Sequence, residues 1–471
     1  MADYLFLMES RLSPDQWQVV VQAQQAAEAH GLTLYLAGGA VRDLICGFPI
    51  EELDFVIEGK AMPMVRALTR HGARVLWQDE KLQAAELEFP TGVVASVSTA
   101  RSETYTGRGA PHTAPTSIIQ DLKRRDFSVN AIGISLNSQS RGLLLDPTNG
   151  AGDIERKEIR TLHNHGFSDD PVRLFRAARL RARLHFTLEQ KTAAQYQAAR
   201  ADRLHQEASG EGLQHELRRI AREKNPVEIL RALEKEKLLP AIHPRLQGGK
   251  LNLHGIAQAA KATQLLTLSG LHGTSFELFL RLLTGKLGAR DQAQLFKRIE
   301  LKRPEISALN KLENDAKRLA KDLMGKEGSS PTRLYQKLAA TPSDLIVLLM
   351  VEFTQATLQA RLKAYLHKYL PLHHQLPSTD LEALGVSATS PHHQKILEAY
   401  FYAALEGKLH GKSDHARFLK RMAEEVVGKK PAKKPQAADE TTPAARPKAA
   451  KAETAKLPAA KIGRASCRER V

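Results

Sequence analysis

The pattern of apolar and polar positions divides the chain into an α/β part and a helical part. Residues 14–30 have the spacing of an amphipathic helix, and residues 32–36 form a short β-prone run that ends at two glycines. Residues 53–57 and 92–98 are typical of strands, and residues 62–71 are typical of a helix. Strands that alternate with helices predict a small α/β head domain.

The periodicity becomes helical from about Asp153 and stays helical to about residue 425. From residue 429 the chain is rich in Pro, Lys and Ala, so it cannot bury enough apolar surface to offset its ordering entropy. Residues 461–471, at its end, differ in composition from the rest of the chain, and no function is assigned to them. We predict a head at residues 1–150, a helical neck at 151–245, a helical body and tail at 246–428, and a disordered basic tail at 429–471.

The charge of the chain favours a polyanionic partner. Its 471 residues include 69 Lys and Arg against 52 Asp and Glu, a formal net charge of +17. Binding to phosphates releases their counterions, so nucleic acid is the first candidate partner. About half of the excess lies in the predicted tail, because residues 429–471 hold twelve basic and four acidic residues.

The cysteine content and the hydropathy of the chain exclude several classes of protein. Only Cys46 and Cys467 occur, which excludes a disulfide framework and a zinc site built on clustered thiols. The sequence shows neither a secretory signal pattern nor a run of about 18 apolar residues. We therefore expect a cytoplasmic protein without a membrane span.

The first chemical constellation combines a glycine turn with two carboxylates. Gly38 and Gly39 allow backbone N–H groups to approach a triphosphate at the start of a helix, where Arg42 can add a charge-assisted contact. Glu52 and Asp54 alternate on a predicted strand, so both point to one face and can share hard divalent cations, of which Mg²⁺ is the expected one. Taken alone, these patterns are more often a simple turn and a solvated sheet edge.

The second constellation spans residues 121–131, where a basic cluster precedes an apolar run that predicts a helix. Arg125 could reach a phosphate or a ribose. Asp126 and Asn130, four residues apart, would share a helical face and hydrogen-bond each other or a sugar hydroxyl. A capped helix with solvated charges is the simpler interpretation of this segment by itself.

The third constellation is a helix that carries three regularly spaced arginines. Pro171 suits the first turn of a helix, and Arg173, Arg176 and Arg179 then recur along one flank, where a triphosphate or an RNA backbone could bind. Asp170 lies one turn from Arg173, and a carboxylate beside a guanidinium can pair with the Watson–Crick edge of a base. Without its context, such a flank is usually a solvated surface.

In this order, the three constellations resemble the class II tRNA nucleotidyltransferase and bacterial poly(A) polymerase family, whose head is a polymerase β-like nucleotidyltransferase. The likeness is strong over about residues 34–185. It implies an α/β nucleotidyltransferase head followed by an all-α neck, body and tail. The segments that carry it are residues 38–43, Glu52 with Asp54, and residues 99–105, 124–127, 145–150, 159–160 and 169–173.

The resemblance also implies roles for site residues. Glu52 and Asp54 would be catalytic and would hold Mg²⁺. Asp170 and Arg173 would recognise the base of ATP or CTP. The residues that contact the incoming nucleotide would be Gly38, Gly39, Arg42, Arg125, Asp170, Arg173, Arg176 and Arg179.

Four positions depart from the family pattern, and one of them is Asp169, which stands where Glu is frequent. Glu52 stands where Asp is more frequent, which adds one methylene and keeps the charge. Ser96 stands on the strand that usually supplies another acidic residue facing the metal pair, so a carboxylate is missing there. Gly212 stands where an arginine is common. The change at Ser96 bears most directly on chemistry, because it affects proton abstraction or metal affinity.

The leading hypothesis is a Mg²⁺-dependent enzyme that adds AMP and CMP from ATP and CTP to the tRNA 3′ end and releases pyrophosphate. Its expected partners are tRNA, ATP and CTP, with no membrane and no obligate protein partner. Two alternatives stay open: a poly(A) polymerase, which has the same motifs, and a catalytically degenerate RNA-binding protein, suggested by Ser96 and Glu52. We expect the choice among CCA, CC and A addition to depend on a loop near residues 75–95.

Overall fold

The computed structural model of the chain describes residues 4–104, 112–268 and 275–427. The predicted basic tail at residues 429–471 lies outside the described residues. So does Tyr105, the last residue of the family-like segment at residues 99–105.

The head is built on a mixed sheet. The strands of the head are β1 (Thr33–Ala37), β2 (Glu52–Glu58), β3 (Arg74–Asp79), β4 (Ala84–Glu88), β5 (Val94–Thr99), β6 (Arg101–Thr104), β7 (His112–Pro115), β8 (Gly133–Ser135) and β9 (Leu144–Leu145). Strands β6 and β7 pair with each other in a separate two-stranded sheet. In the described residues, seven strands form the sheet in the order β3-β4-β5-β2-β1-β8-β9. Strands β2 and β5 are parallel, and the other neighbours are antiparallel. Both β2 and β5 therefore begin at the same end of the sheet.

The two faces of β2 separate the core from the candidate site. Leu53, Phe55 and Ile57 are fully buried in the hydrophobic core. Because successive side chains of a strand point to opposite faces, Glu52 and Asp54 share the other face, where both are only partly buried.

The helices of the head are α1 (Tyr4–Arg11), α2 (Pro14–Glu28), α3 (Gly39–Cys46), α4 (Met62–Arg70) and α5 (Ile118–Lys123). Helix α2 starts with a capping box, in which the Ser13 hydroxyl accepts from the Gln16 N–H at 3.2 Å and the Gln16 side chain accepts from the Ser13 N–H at 3.0 Å. The predicted helices at residues 14–30 and 62–71 are confirmed within a few residues, whereas α1 was not predicted.

The prediction of a loop at residues 75–95 is wrong, because β3 and β4 occupy much of this segment. Strand β3 lies at the edge of the sheet and exposes or half-exposes all of its residues. An edge strand of this kind lacks the apolar alternation by which a half-buried strand is recognised in a sequence.

The prediction of a helix over residues 121–131 is also wrong. Helix α5 ends at Lys123, Phe127 is extended and forms an isolated bridge with Thr161, and Ser128–Asn130 is a single 3-10 turn. This tertiary pairing overrides the local helical pattern. The expected hydrogen bond is nevertheless present, since the Asn130 amide donates to Asp126 Oδ1 at 3.2 Å.

The rest of the described chain is helical, apart from the short parallel pair β10 (Glu158–Ile159) and β11 (Thr187–Leu188). A π-helical segment, Tyr365–Tyr369, joins α18 to α19. The helices are α6 (Gly150–Glu155), α7 (Gly166–Asp169), α8 (Val172–Leu184), α9 (Gln190–Ala201), α10 (Gly210–Arg222), α11 (Pro226–Lys235), α12 (Leu253–Leu268), α13 (Phe276–Thr284), α14 (Ala289–Arg298), α15 (Arg303–Met324), α16 (Pro331–Ala339), α17 (Ser343–Glu352), α18 (Ala356–Ala364), α19 (Leu370–His374), α20 (Ser378–Ala383), α21 (Pro391–Leu405) and α22 (Gly411–Val427).

Helix α8 fixes the neck to its neighbours. Its apolar stripe, which includes Leu174, Ala177 and Leu180, is fully buried, and the helix packs against α10 and α11. The predicted fold class, an α/β head followed by an all-α remainder, is confirmed. No single helix in the described ranges is long and apolar enough to cross a bilayer, although the consecutive helices α16 and α17, bent by 117°, pass that test as a pair.

Candidate active site

A cavity of about 410 Å³ lies where the polar face of the sheet meets α8 and α10. Nine of the ten predicted site residues line it, and the exception is Glu52. Four carboxylates, those of Asp54, Glu103, Asp126 and Asp170, face it as well. Its arginines outnumber them two to one and are Arg42, Arg101, Arg124, Arg125, Arg173, Arg176, Arg179 and Arg219. Such a surplus of guanidinium groups suits a ligand with several negative charges.

The glycine turn borders this cavity and excludes any side chain. Gly38 has a φ of 69°, a conformation that disfavours residues with a Cβ, and a Cβ there would lie 2.5 Å from Arg125 Nη1. Gly39 begins α3, and a Cβ on it would lie 3.3 Å from Asp54 Oδ2. The turn therefore brings the start of a helix close to a guanidinium and to a carboxylate.

Asp54 is the predicted metal ligand that faces the cavity. The Ser96 hydroxyl donates to Asp54 Oδ1 at 3.0 Å, and the two residues are partners in the β2–β5 register. Glu52 lies two residues earlier on the same face, but its carboxylate forms an ion pair with Arg222 of α10.

These oxygen donors fit a hard divalent cation. Mg²⁺ is commonly held by one or two carboxylates while waters and substrate phosphates complete its coordination. The described residues contain no group of three or more His, Cys, Asp or Glu side chains arranged to hold a metal ion. A cation at Asp54 would therefore depend on water, on bound nucleotide, or on carboxylates that move toward it.

Arg42 is held rigidly at the wall of the cavity. It is only 5% exposed, its Nε donates to Asp43 Oδ1 at 2.9 Å, and its Nη1 donates to Asn130 Oδ1 at 2.6 Å. Asp43 is shared with Arg183, whose Nη2 lies 2.8 Å from it. The guanidinium of Arg42 is thus oriented before any ligand binds.

Arg125 is anchored in a similar way by a buried carboxylate. Its Nη2 donates to Asp121 Oδ2 at 3.0 Å, and its Nη1 donates to the Asn130 carbonyl at 3.1 Å. Burial tends to raise the pKa of Asp121, but the guanidinium groups of Arg125 and Arg124 outweigh it and lower that pKa. Asp121 therefore stays charged and keeps Arg125 against the glycine turn.

Arg176 and Arg179 are engaged by carboxylates of the protein. Arg176 donates to Asp126 Oδ2 at 2.6 Å and to Glu216 Oε1 at 2.7 Å, and Arg179 donates to Glu216 Oε2 at 2.9 Å and to Glu223 at 3.2 Å. Burial alone would raise the pKa of Glu216, yet Arg179 and Arg176 hold it at about 2. Both arginines can therefore offer a phosphate only the donors that these carboxylates leave free.

Arg173 differs from these arginines because two of its nitrogen atoms lack a hydrogen-bond partner among the described residues. It is 5% exposed, and its Nε and Nη1 have no hydrogen-bond partner among the described residues. Its Nε lies 3.7 Å from Asp170 Oδ2, beyond hydrogen-bond distance, while Asp170 Oδ1 accepts from the Val172 N–H at 3.1 Å. A buried guanidinium with unsatisfied donors beside a carboxylate acceptor is suited to a ligand that has both donors and acceptors.

Comparison with known proteins identifies the family of the chain. Residues 34–160 match the family described as the poly A polymerase head domain. A relative from Halalkalibacterium halodurans, named A-adding tRNA nucleotidyltransferase, is 30% identical over 424 residues, which cover 88% of this chain and 94% of that protein. The chain belongs to the tRNA nucleotidyltransferase family. The family and the enzyme class inferred from the motifs are thereby confirmed.

Other tRNA nucleotidyltransferases match over different shares of their length. The A-adding tRNA nucleotidyltransferase of Aquifex aeolicus is 38% identical over 219 residues, which are 45% of this chain and only 26% of that protein. Among solved structures, the Thermotoga maritima CCA-adding enzyme complexed with tRNA covers 90% of this chain and 99% of its own, with 23% identity and a TM-score of 0.45.

Several polar residues near the site were not predicted from the tRNA nucleotidyltransferase motifs. Arg219 lines the cavity, is exposed, and makes no hydrogen bond or ion pair within the described part of the chain. Glu216, Glu86 and Arg222 also contribute charge there. The basic residues at the end of α10 were the available signal, but only the fold shows that this helix lies against the sheet.

The departure at Gly212 has a steric explanation. A Cβ at this position would lie 2.4 Å from Val172 Cγ2. Glycine thus allows α10 to approach the start of α8, which brings Glu216 to the arginines of α8.

Proposed function

We propose that this protein transfers AMP, and also CMP, from ATP and CTP to the 3′-hydroxyl of tRNA and releases pyrophosphate. The observation that carries the proposal is the single cavity in which the Gly38–Gly39 turn, the Asp54 carboxylate and a surplus of arginines face one another. Both relatives described above are named A-adding enzymes, so AMP is the first nucleotide to test.

The triphosphate would lie between the glycine turn and the arginines. Backbone N–H groups at the start of α3 point toward a bound anion, as they commonly do at helix N-termini. Arg125 and Arg42, both fixed by hydrogen bonds to the protein, would contribute charge without further ordering. Arg176 and Arg219 would complete the contacts on the side of α8 and α10.

The base would be recognised by Asp170 and Arg173. Arg173 offers two buried donors that lack partners among the described residues, and Asp170 offers an acceptor 3.7 Å away. Adenine and cytosine each carry an amino donor next to a ring-nitrogen acceptor, so one donor–acceptor pair can serve both. Because a mispaired base would leave these buried groups unsatisfied, the pair would also select against other bases.

Glu52 and Asp54 would hold Mg²⁺, which when bound activates the attacking hydroxyl and stabilises the departing pyrophosphate. Asp54 is already in place beside the turn. Glu52 would first have to leave its ion pair with Arg222.

We further propose that the helical neck, body and tail bind tRNA by charge and shape, and that the protein acts in the cytoplasm.

Incubation of the protein with tRNA lacking its 3′ end, Mg²⁺, and labelled ATP or CTP tests the proposal. Asp54→Ala should abolish incorporation and leave tRNA affinity unchanged, whereas Asp15→Ala, which removes an exposed carboxylate on α2, should change neither. Poly(A) polymerase activity would appear as long A tracts with ATP alone. A degenerate RNA-binding protein would bind tRNA and incorporate nothing, and substantial activity of Asp54→Ala would refute the metal assignment.

A further inference from the structure

The carboxylate that the family places at Ser96 has a counterpart one strand away. Ser96 is the register partner of Asp54 on one side and of Glu86 on the other. Register partners in adjacent strands share a face, so all three side chains point to the polar face of the sheet. Ser96 of β5, which lacks the carboxylate of the family pattern, therefore lies directly beside the carboxylate-bearing Glu86 of β4.

Glu86 lies beside the candidate active site and is partly shielded from solvent. The side chain of Glu86 is only 26% exposed, and this residue of β4 is partly buried. Burial raises the pKa of Glu86, the guanidinium groups of Arg218 and Arg219 oppose this shift, and the charge of Asp54 adds to it. In the register of the sheet, Glu86 lies two strands from Asp54, with Ser96 between them.

Arg222 connects Glu86 to the predicted metal ligands. Its Nη1 pairs with Glu52 Oε1 and its Nη2 pairs with Glu86 Oε1, so one guanidinium bridges two carboxylates from different strands. A guanidinium is a planar, delocalised cation that stays charged in proteins, and it can neutralise the mutual repulsion of two partly buried carboxylates. The two carboxylates are therefore already disposed around a single positive charge.

We propose that Glu86 supplies the third carboxylate of the metal centre in place of Ser96, and that the guanidinium of Arg222, which pairs with both Glu52 and Glu86, competes with a divalent cation for these two carboxylates. This inference rests on the metal-dependent transfer proposed above. It accounts for the lack of a ready-made group of three metal ligands among the described residues, because Arg222 stands between two of the three.

The longer side chain of Glu86 is consistent with this role. Adjacent strands lie about 4.8 Å apart, so β4 is one strand spacing farther from Asp54 than β5 is. Glutamate has one methylene more than aspartate, which extends the reach of its carboxylate toward the centre of the site. Ser96, between them, keeps a hydroxyl oxygen that already contacts Asp54 at 3.0 Å.

Binding of Mn²⁺ to the full-length protein without nucleotide or tRNA tests the proposal, with free Mn²⁺ measured by electron paramagnetic resonance. Glu86→Gln should raise the dissociation constant by about tenfold or more, as expected when a metal centre loses a carboxylate. Glu88→Gln is the matched control, because Glu88 lies two residues along β4 on the same face and pairs with Arg74 at the sheet edge. It should change the constant by less than about twofold.

Two further variants separate a ligand from a structural residue. Arg222→Gln should tighten Mn²⁺ binding, because it removes the guanidinium that competes with the metal ion. Unchanged or weaker binding would overturn the proposed competition by Arg222. Ser96→Asp, introduced into Glu86→Gln, should restore Mn²⁺ affinity by returning a carboxylate to the neighbouring position. If this double variant stays as weak as Glu86→Gln alone, Glu86 is not acting as the substitute carboxylate.

Asp54→Asn distinguishes failure of this inference from failure of the proposed function. If Asp54→Asn weakens Mn²⁺ binding and Glu86→Gln does not, the metal centre stands and the assignment of Glu86 is wrong. If neither variant alters binding, the metal assignment of the proposed function fails as well. Circular dichroism and the thermal unfolding midpoint of each variant confirm that the comparison is made between folded proteins.

Discussion

The buried carboxylate of Glu216 gives the most quantitative prediction. It is 2% exposed and accepts charge-assisted hydrogen bonds from Arg176 and Arg179 at 2.7 and 2.9 Å. Replacement by glutamine keeps the size of the side chain and removes its charge, which leaves two guanidinium groups without their shared partner. We expect Glu216→Gln to lower the free energy of unfolding substantially.

Two independent routes give a similar magnitude. The pKa of Glu216 falls from its ordinary value of 4.5 to about 2 in the folded protein, a difference that corresponds to about 3 kcal/mol of stabilisation at neutral pH. Removal of one partner from a buried ion pair typically costs about 3–5 kcal/mol. We therefore expect Glu216→Gln to reduce the free energy of unfolding at pH 7 by about 3 kcal/mol.

The sign of the pH dependence follows from the lowered pKa. A carboxylate with a depressed pKa in the folded state stabilises the protein above its unfolded-state pKa. That contribution is lost as the pH falls from about 4.5 toward 2. The difference in stability between the wild type and Glu216→Gln should therefore narrow over this acidic range.

Urea unfolding followed by tryptophan fluorescence measures this effect. The chain has two tryptophans, and Trp77 of β3 lies with its ring 6.4 Å from that of His215, next to Glu216 on α10. Glu211→Gln is the matched control, because Glu211 is on the same helix with a side chain 70% exposed. The control should change stability by less than about 0.5 kcal/mol. A loss in Glu216→Gln no larger than that of the control would refute the reasoning.

Two further predictions concern binding. Arg219 faces the cavity and makes no ion pair among the described residues, so Arg219→Gln should raise the KM for ATP about tenfold or more through loss of a charged hydrogen bond to phosphate. The exposed Arg290→Gln on α14 should leave that KM unchanged, and an equal KM in both variants would contradict the role of Arg219. Deletion of residues 429–471 should weaken tRNA binding mainly at low salt and preserve turnover, whereas a loss of turnover would contradict a purely electrostatic role for the tail.

The sequence predicted those parts of the fold that follow from local pattern. The alternation in β2 and the apolar stripe of α8 indicate which face of each element is buried, and the structure agrees. The edge strand β3 was missed because its exposed residues carry no such alternation. The segment at residues 121–131 was misjudged because the bridge between Phe127 and Thr161 depends on a contact that local propensity does not encode.

The arrangement of charges in the candidate site was harder to predict, for the same physical reason. Each of its arginines looks alike in the sequence, but their partners come from distant segments. Arg176 meets Glu216, 40 positions later, and Arg222 meets Glu86, 136 positions earlier. Spacing along one helix shows which arginines share a flank, whereas only the packing of α10 shows which of them are already neutralised.

This division among the arginines has a consequence for catalysis. A buried ion pair contributes little net stability over an apolar pair of similar shape, because desolvation offsets the attraction. The pairs of Arg176 and Arg179 with Glu216 are therefore better explained by orientation, since they fix guanidinium groups before the ligand arrives and avoid reorganisation during the reaction. Arg173 and Arg219, which have donors without a partner within the described residues, are then the groups whose contacts change most when a nucleotide binds. Selectivity for the nucleotide should accordingly depend more on these two arginines than on the paired ones.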